Sequence, residues 1–140
     1  GAMNLERLYA QLETDEGRRK KVYRCTAGKL TIGVGRNLED RGLRDDEIDL
    51  MLKNDVAESI GECRRLFRMF DSLSAVRQEV LVNMMLNLGF ARLSGFKRMH
   101  AALEEGNWAE AARQMLDSKW ASDVGARADR LAKAMRTGAF

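Results

Sequence analysis

Glu13-Thr14-Asp15-Glu16-Gly17, followed by Leu30-Thr31-Ile32-Gly33-Val34-Gly35-Arg36-Asn37, is where the chain changes character. Ahead of it Leu5, Leu8, Tyr9 and Leu12 recur at helical spacing, which predicts an amphipathic helix over residues 4–14 with Asn4 as its N-cap and Gly17 just past its end. Asp15 and Glu16 then fall at the C-terminal end of that helix, where the macrodipole disfavours negative charge and tends to raise a carboxyl pKa. A carboxyl kept partly protonated near neutral pH is what a general acid requires, although an ordinary acidic helix end is the commoner meaning of such a pattern. Residues 20–25 and 29–34 are β-rich runs around Thr26-Ala27-Gly28, the signature of a hairpin. Gly33 and Gly35 alternate with Ile32 and Val34, so one strand face carries no side chains, as close approach of another segment or a ligand would require. Cys25 falls at the turn side of the first strand with Thr31 across from it. The hairpin is therefore expected to gather a thiol, a hydroxyl and the Glu16 carboxyl around one pocket.

Almost everything that follows is helical. Residues 37–44 read as a short polar connection, and Asp45-Asp46-Glu47 suits the start of a helix. Its apolar positions Ile48, Met51, Leu52, Val56, Ile60, Cys63, Leu66 and Phe67 step by three or four, predicting one helix of about 25 residues with Cys63 as a buried thiol. Ser72 or Ser74 caps a helix that runs to Leu88 and is apolar nearly all round, the expected centre of a helical lobe. Asn83 and Asn87 are its polar exceptions, read either as hydrogen-bonded core amides or as amides lining a cleft. Residues 93–103 form a further helix. Asn107-Trp108-Ala109-Glu110 has the form of a capping box and opens a helix to Ser118. Lys119-Trp120 starts a connector, and a basic helix covers residues 126–136.

The 140 residues suffice for one domain with a real core. Gly1 and Ala2 read as a cleavage scar, and no basic and apolar leader follows Met3. No run approaches the roughly 20 apolar residues needed to span a membrane. The two cysteines lie in unlike settings and read as free thiols. One histidine without a cysteine pair excludes a zinc site, and no phosphate-binding loop, dinucleotide fingerprint or serine-hydrolase elbow is present. The net charge of +3 divides unevenly, with 11 Lys/Arg against 13 Asp/Glu in residues 1–63 and 13 against 8 in residues 64–140. The basic half fits an anionic partner, whether a cell-wall polymer, a membrane surface or nucleic acid, and equally a set of solvated helix faces.

With these residues in place, the chain resembles the phage-type lysozymes of glycoside hydrolase family 24, the T-even phage endolysin group. The motif is Asp15-Glu16-Gly17, Tyr23, Cys25-Thr26-Ala27-Gly28 and Thr31-Ile32-Gly33-Val34-Gly35, supported by Ser72-Leu73-Ser74-Ala75-Val76-Arg77, Asn83-Met84, Asn87-Leu88-Gly89, Gly95-Phe96, Trp108 with Glu110-Ala111-Ala112, Ser118-Lys119-Trp120, Arg127 with Arg130, and Arg136-Thr137-Gly138. The resemblance implies an α+β, mostly α, lysozyme-like fold as a single domain over residues 3–140. A small hairpin lobe covers about 15–45, a connecting helix about 45–69, and a larger helical lobe about 70–140 that includes the helix at 4–14. It implies hydrolysis of the β-1,4 bond between N-acetylmuramic acid and N-acetylglucosamine in peptidoglycan, with catalytic positions at Glu16, Cys25 and Thr31. Substrate-binding positions are implied at Leu86, Asn87, Gln114 and Arg127.

Glu16 would be the general acid. Position 25 carries aspartate in many members and cysteine in others, and a free thiol, with a reference pKa of about 8.5, is a weak base at neutral pH. Cys25 is accordingly expected to hold the water together with Thr31. Arg36 stands where a histidine is familiar and Asp55 in its partner's place, so an Arg36–Asp55 ion pair is expected. No cofactor and no metal are implied. The expected partner is peptidoglycan polysaccharide, met by a monomer without nucleic acid or stable membrane insertion. Synthesis in a bacterial host cytoplasm and action on the wall are expected, and a virion-associated role is compatible. Two competing readings remain, a lytic transglycosylase using the same Glu16 and a non-catalytic cationic module that binds wall or membrane.

Overall fold

The computed structural model describes residues 1–140. Asn4 opens helix α1 (Leu5–Glu16), its side-chain oxygen accepting from the Arg7 N–H at 3.0 Å, and Gly17 closes it with φ 77°, a conformation that glycine adopts without strain. The helix runs two residues beyond its expected end, so Asp15 and Glu16 are its last turn. The hairpin follows as β1 (Arg19–Arg24) and β2 (Leu30–Gly33), antiparallel, with Tyr23 opposite Thr31 and Arg24 opposite Leu30. The register slips between Arg19 and Tyr23, a bulge that the sequence did not announce.

A third strand, β3 (Arg36–Asn37), pairs with β2, giving the order β1-β2-β3. Residues 37–44 are thus not a plain connection. Asn37 ends β3 and at once caps the four-residue helix α2 (Leu38–Arg41), its side chain accepting from the Asp40 N–H at 3.0 Å. A two-residue strand and a one-turn helix are too short for periodicity to reveal.

Helix α3 (Asp45–Leu66) is continuous. Its expected apolar stripe is covered only in its last turns. Ile48, Met51 and Leu52 are exposed, as are Leu5, Tyr9 and Leu12 of α1, and the buried apolar core starts at Cys63. The chain divides into two compact units, Gly1–Leu50 and Met51–Phe140. The sequence reading grouped helix 4–14 with the larger lobe; the first of these compact units includes α1.

The second unit continues through α4 (Ala75–Leu88), α5 (Phe90–Ser94), α6 (Lys97–Glu104), α7 (Trp108–Leu116), α8 (Lys119–Val124) and α9 (Ala126–Thr137). α4 is its centre and buries Val80, Leu81, Met84, Met85 and Leu88. Met99, Met115 and Met135 join Met84 and Met85 inside, flexible thioethers that fill the irregular gaps between short helices. Two expectations change here. The helix read over 93–103 is broken at Gly95-Phe96, where Phe96 turns to meet Trp120 edge-on at 6.3 Å. The connector at Lys119-Trp120 is helix α8, capped by Ser118, which accepts from the Ala121 N–H. Arg77 of α4 closes α9: it donates to the carbonyls of Met135 (2.8 Å) and Arg136 (3.3 Å) with its guanidinium 4.3 Å from the Trp108 ring. It thus satisfies carbonyls that a helix end leaves unpaired. The architecture is α+β and mostly α, as expected.

Candidate active site

In the first unit Glu16 ends α1 with its side chain exposed, and the carboxyl lies over the turn between β2 and β3. A Cβ built on Gly35 would come within 2.9 Å of Glu16 Oε2, 3.1 Å of Cδ and 3.2 Å of Cγ. Of the two bare positions read from the alternating glycines, the one at Gly35 is therefore occupied by the glutamate, while the one at Gly33 is open. The turn itself is anchored from behind. Arg36, the next residue, donates twice to the Glu47 carboxylate (2.7 Å to each oxygen) and once to the Gly42 carbonyl (3.2 Å). Glu47 also accepts the Arg44 backbone N–H at 2.7 Å. Arg36, with help from that N–H, draws the Glu47 carboxyl down to about 2. The Arg36–Asp55 pair expected from the resemblance is replaced by this clamp. Glu47 lies in the first turn of α3, directly beside the β3–α2 segment, and takes both prongs of the guanidinium in a bidentate fork.

Thr31 is the one buried residue among residues 1–50. Its partner across the sheet is Tyr23, not Cys25; the Cys25 N–H donates to the Lys29 carbonyl (3.0 Å) and its carbonyl accepts from Gly28 (2.8 Å). Tyr23 and Cys25, two residues apart, share a strand face, so Thr31 meets Cys25 on the diagonal. The hydroxyl of Thr31 donates to the Lys29 carbonyl at 2.8 Å, which leaves its lone pairs free to accept. Hydrogen bonding to the Lys29 backbone, then to that of Ala27, holds the half-buried Cys25 thiol below its ordinary range. Backbone dipoles, not the neighbouring Arg24 and Lys21 side chains, are thus the main influence on the thiol. Glu16 reaches the sheet at the β2–β3 turn, whereas Cys25 and Thr31 meet towards its β1–β2 end.

In the second unit the four expected substrate positions are held in distinct ways. The Asn87 side-chain oxygen accepts from Trp120 Nε1 at 2.7 Å, so its amide nitrogen faces outward as a donor. Arg127 is held by Asn83, whose oxygen accepts from it at 3.0 and 2.7 Å. Leu86 is exposed and lines a cavity of about 270 Å³ with Asp55, Glu58 and Gly89. Gln114 lines another of about 370 Å³ with Phe96, Arg98 and Asp117, while its amide nitrogen donates to Glu110 at 2.8 Å. Arg113, then Gln114, hold that Glu110 carboxyl down at about 2. Asn107 caps α7 as read, but Glu110 faces Arg113 and Gln114, so the capping box is half formed.

Sequence reasoning did not find the Glu16–Gly35 contact as such, the Glu47 clamp or the Asn83–Arg127 pair. The alternating glycines signalled the first; no local pattern signals the other two. No group of three or more His, Cys, Asp or Glu is gathered as a metal site, and no helix is long and apolar enough to cross a membrane.

The phage lysozyme family profile matches residues 13–136, and the chain belongs to that family. Among its relatives is a protein of Dictyostelium discoideum described as "Probable T4-type lysozyme 2", 25% identical over 156 aligned residues that cover 91% of this chain and 92% of the relative. A second from the same organism, "Probable T4-type lysozyme 1", is 26% identical over the same shares. The "Pre-baseplate central spike protein Gp5" of Enterobacteria phage T4 is 28% identical over 91% of this chain and 27% of its own length.

Proposed function

We propose that this protein is a lysozyme that hydrolyses the β-1,4 bond between N-acetylmuramic acid and N-acetylglucosamine in peptidoglycan, with Glu16 as general acid. The observation that carries the reading is the Glu16 carboxyl seated on the bare turn at Gly35, within a chain of the phage lysozyme family. Glu16 gives its proton to the glycosidic oxygen as the C1–O bond breaks, and the positive charge that develops at the sugar is met by water. Thr31, whose hydroxyl donates its hydrogen bond to the Lys29 carbonyl, accepts a hydrogen bond from that water, and Cys25 flanks it. As the C1–O bond to water forms, the water's surplus proton passes to bulk solvent, so neither residue has to act as a full base, and Glu16 is reprotonated from solvent for the next cycle. In the second unit the outward amide of Asn87, the Leu86 side chain, Gln114 and the Asn83-held Arg127 are the groups proposed to hold the glycan. The protein acts as a monomer on the bacterial wall, as a lytic enzyme or as part of a virion.

The test is peptidoglycan digestion by wild type, Glu16→Gln and Cys25→Ser, with product ends identified by mass spectrometry. Glu16→Gln is expected to lose at least about 100-fold in rate, the lower end of what an acid–base group supplies. Cys25→Ser is expected to lose less than that. Full activity in Glu16→Gln would remove the reading. One observation favours a second reading, lytic transglycosylation: position 25 offers a thiol where an inverting hydrolase uses a carboxylate to activate water. Anhydromuramic ends in place of reducing ends would decide for it.

A further inference from the structure

Two glycines in one turn differ in a single respect. Gly33 has φ 69° and Gly35 φ 71°, so each holds a backbone conformation that an L side chain rarely adopts. A Cβ on Gly33 would meet nothing within 4 Å, whereas one on Gly35 would fall 2.9 Å from Glu16 Oε2. Backbone geometry accounts for both glycines, but it does not account for the close approach at Gly35. The Gly35 backbone is also fixed in place, because the next residue is locked to Glu47 and the Gly42 carbonyl. The Glu16 side chain is exposed, and the anchored turn is the surface its carboxyl rests on.

We propose that Gly35 is a positioning residue for the Glu16 carboxyl: the space left by its missing side chain is the seat that fixes where the carboxyl lies. The inference rests on Glu16 being the general acid. A methyl group at position 35 would not break the fold through this contact, because the carboxyl can swing aside. It would instead move the acid away from the glycosidic oxygen while leaving the sugar-binding groups of the second unit untouched. A displacement of about 1 Å at a reacting group costs on the order of 100-fold.

The experiment compares Gly35→Ala with Gly33→Ala, which carries the same backbone strain without the contact, and with Glu16→Gln. Melting temperature, kcat and KM are measured on soluble peptidoglycan oligomers. Both alanine variants are expected to lose similar stability. Only Gly35→Ala is expected to lose kcat, by 10-fold or more, with KM unchanged. Gly35→Asn, whose side chain tolerates positive φ better, repeats the test should the alanine variant fold poorly, and the same kcat loss is expected. Equal kcat in the position 33 and position 35 variants would overturn the proposal, as would a loss confined to KM, or failure of both position 35 variants to fold while Gly33→Ala folds. An active Glu16→Gln would instead strike the underlying reading, so the two failures are told apart.

Discussion

The two units are held by different physics. Met51–Phe140 contains every buried apolar residue of the protein, twenty-two of them in one cluster running from Cys63 to Met135. Gly1–Leu50 buries a single residue, Thr31, and that residue is polar. Where the second unit is packed, the first is tied, by the Arg36–Glu47 fork, by Lys29 to Asp40 (3.3 Å) and Glu39 (3.5 Å), and by the Asn4 and Asn37 caps. The proposed chemistry sits on the tied unit. Ion pairs and turns fix a few atoms tightly without demanding a core, and a six-residue strand facing a four-residue one has no room for one.

The difference can be broken from either side. The largest effect is expected from the packed unit: Met84→Ala, at a fully buried position of α4, should cost about 2–5 kcal/mol in a urea melt. Trp108 and Trp120 both lie in that unit, so tryptophan fluorescence follows it alone. A cost under 1 kcal/mol would mean that the methionine core is loosely filled.

Next comes the fork. The folded Glu47 pKa is lowered from the ordinary value of 4.5 to about 2, so the pair stabilises the tied unit at every pH above 4.5 and loses that contribution as pH falls through about 2. Glu47→Gln should therefore speed amide exchange at residues 36–41 at pH 4–7 and leave it unchanged below pH 2. Wild-type protection at 36–41 that vanished already near pH 4.5 would show that the fork does not hold this turn. The smallest effect is expected at Val22, an exposed apolar residue on β1, where alanine should change stability by no more than about 0.5 kcal/mol. A larger loss would reveal packing in the tied unit that its exposure denies.

The same contrast decides what could be read from the sequence. In the packed unit the long periodic runs announced α4 and the C-terminal part of α3; Asn107 marked a helix start where the structure has it, and of the two caps offered for α4, Ser72 and Ser74, the structure takes Ser74. The break at Gly95-Phe96 escaped because one apolar period runs through both α5 and α6, and only the docking of Phe96 on Trp120 decides the turn. In the tied unit the hairpin was legible from its glycines and β-branched residues, but β3, α2 and the bulge were not, since each involves four residues or fewer. Arg36 was assigned the wrong partner because a guanidinium reaches whichever carboxylate the local turn presents, and position-by-position likeness to a family does not encode that reach. Glu16, Cys25 and Thr31 were singled out by the helix end and the hairpin, but their catalytic roles came only through family resemblance; without it Glu16 remained an ordinary acidic helix end.

The two cysteines carry this contrast into practical terms. Cys25, half-buried on the tied unit, has its thiol held below the ordinary range, while Cys63, sealed in the packed unit, has its thiol pushed up to about 12 by burial, with Glu62 adding. At neutral pH an alkylating reagent therefore meets one reactive sulfur per native molecule. The second becomes available only when the helical core opens. The natural sequence thus supplies a pair of chemical clocks, one ticking in the folded protein at the β1–β2 end of the sheet, the other started by unfolding.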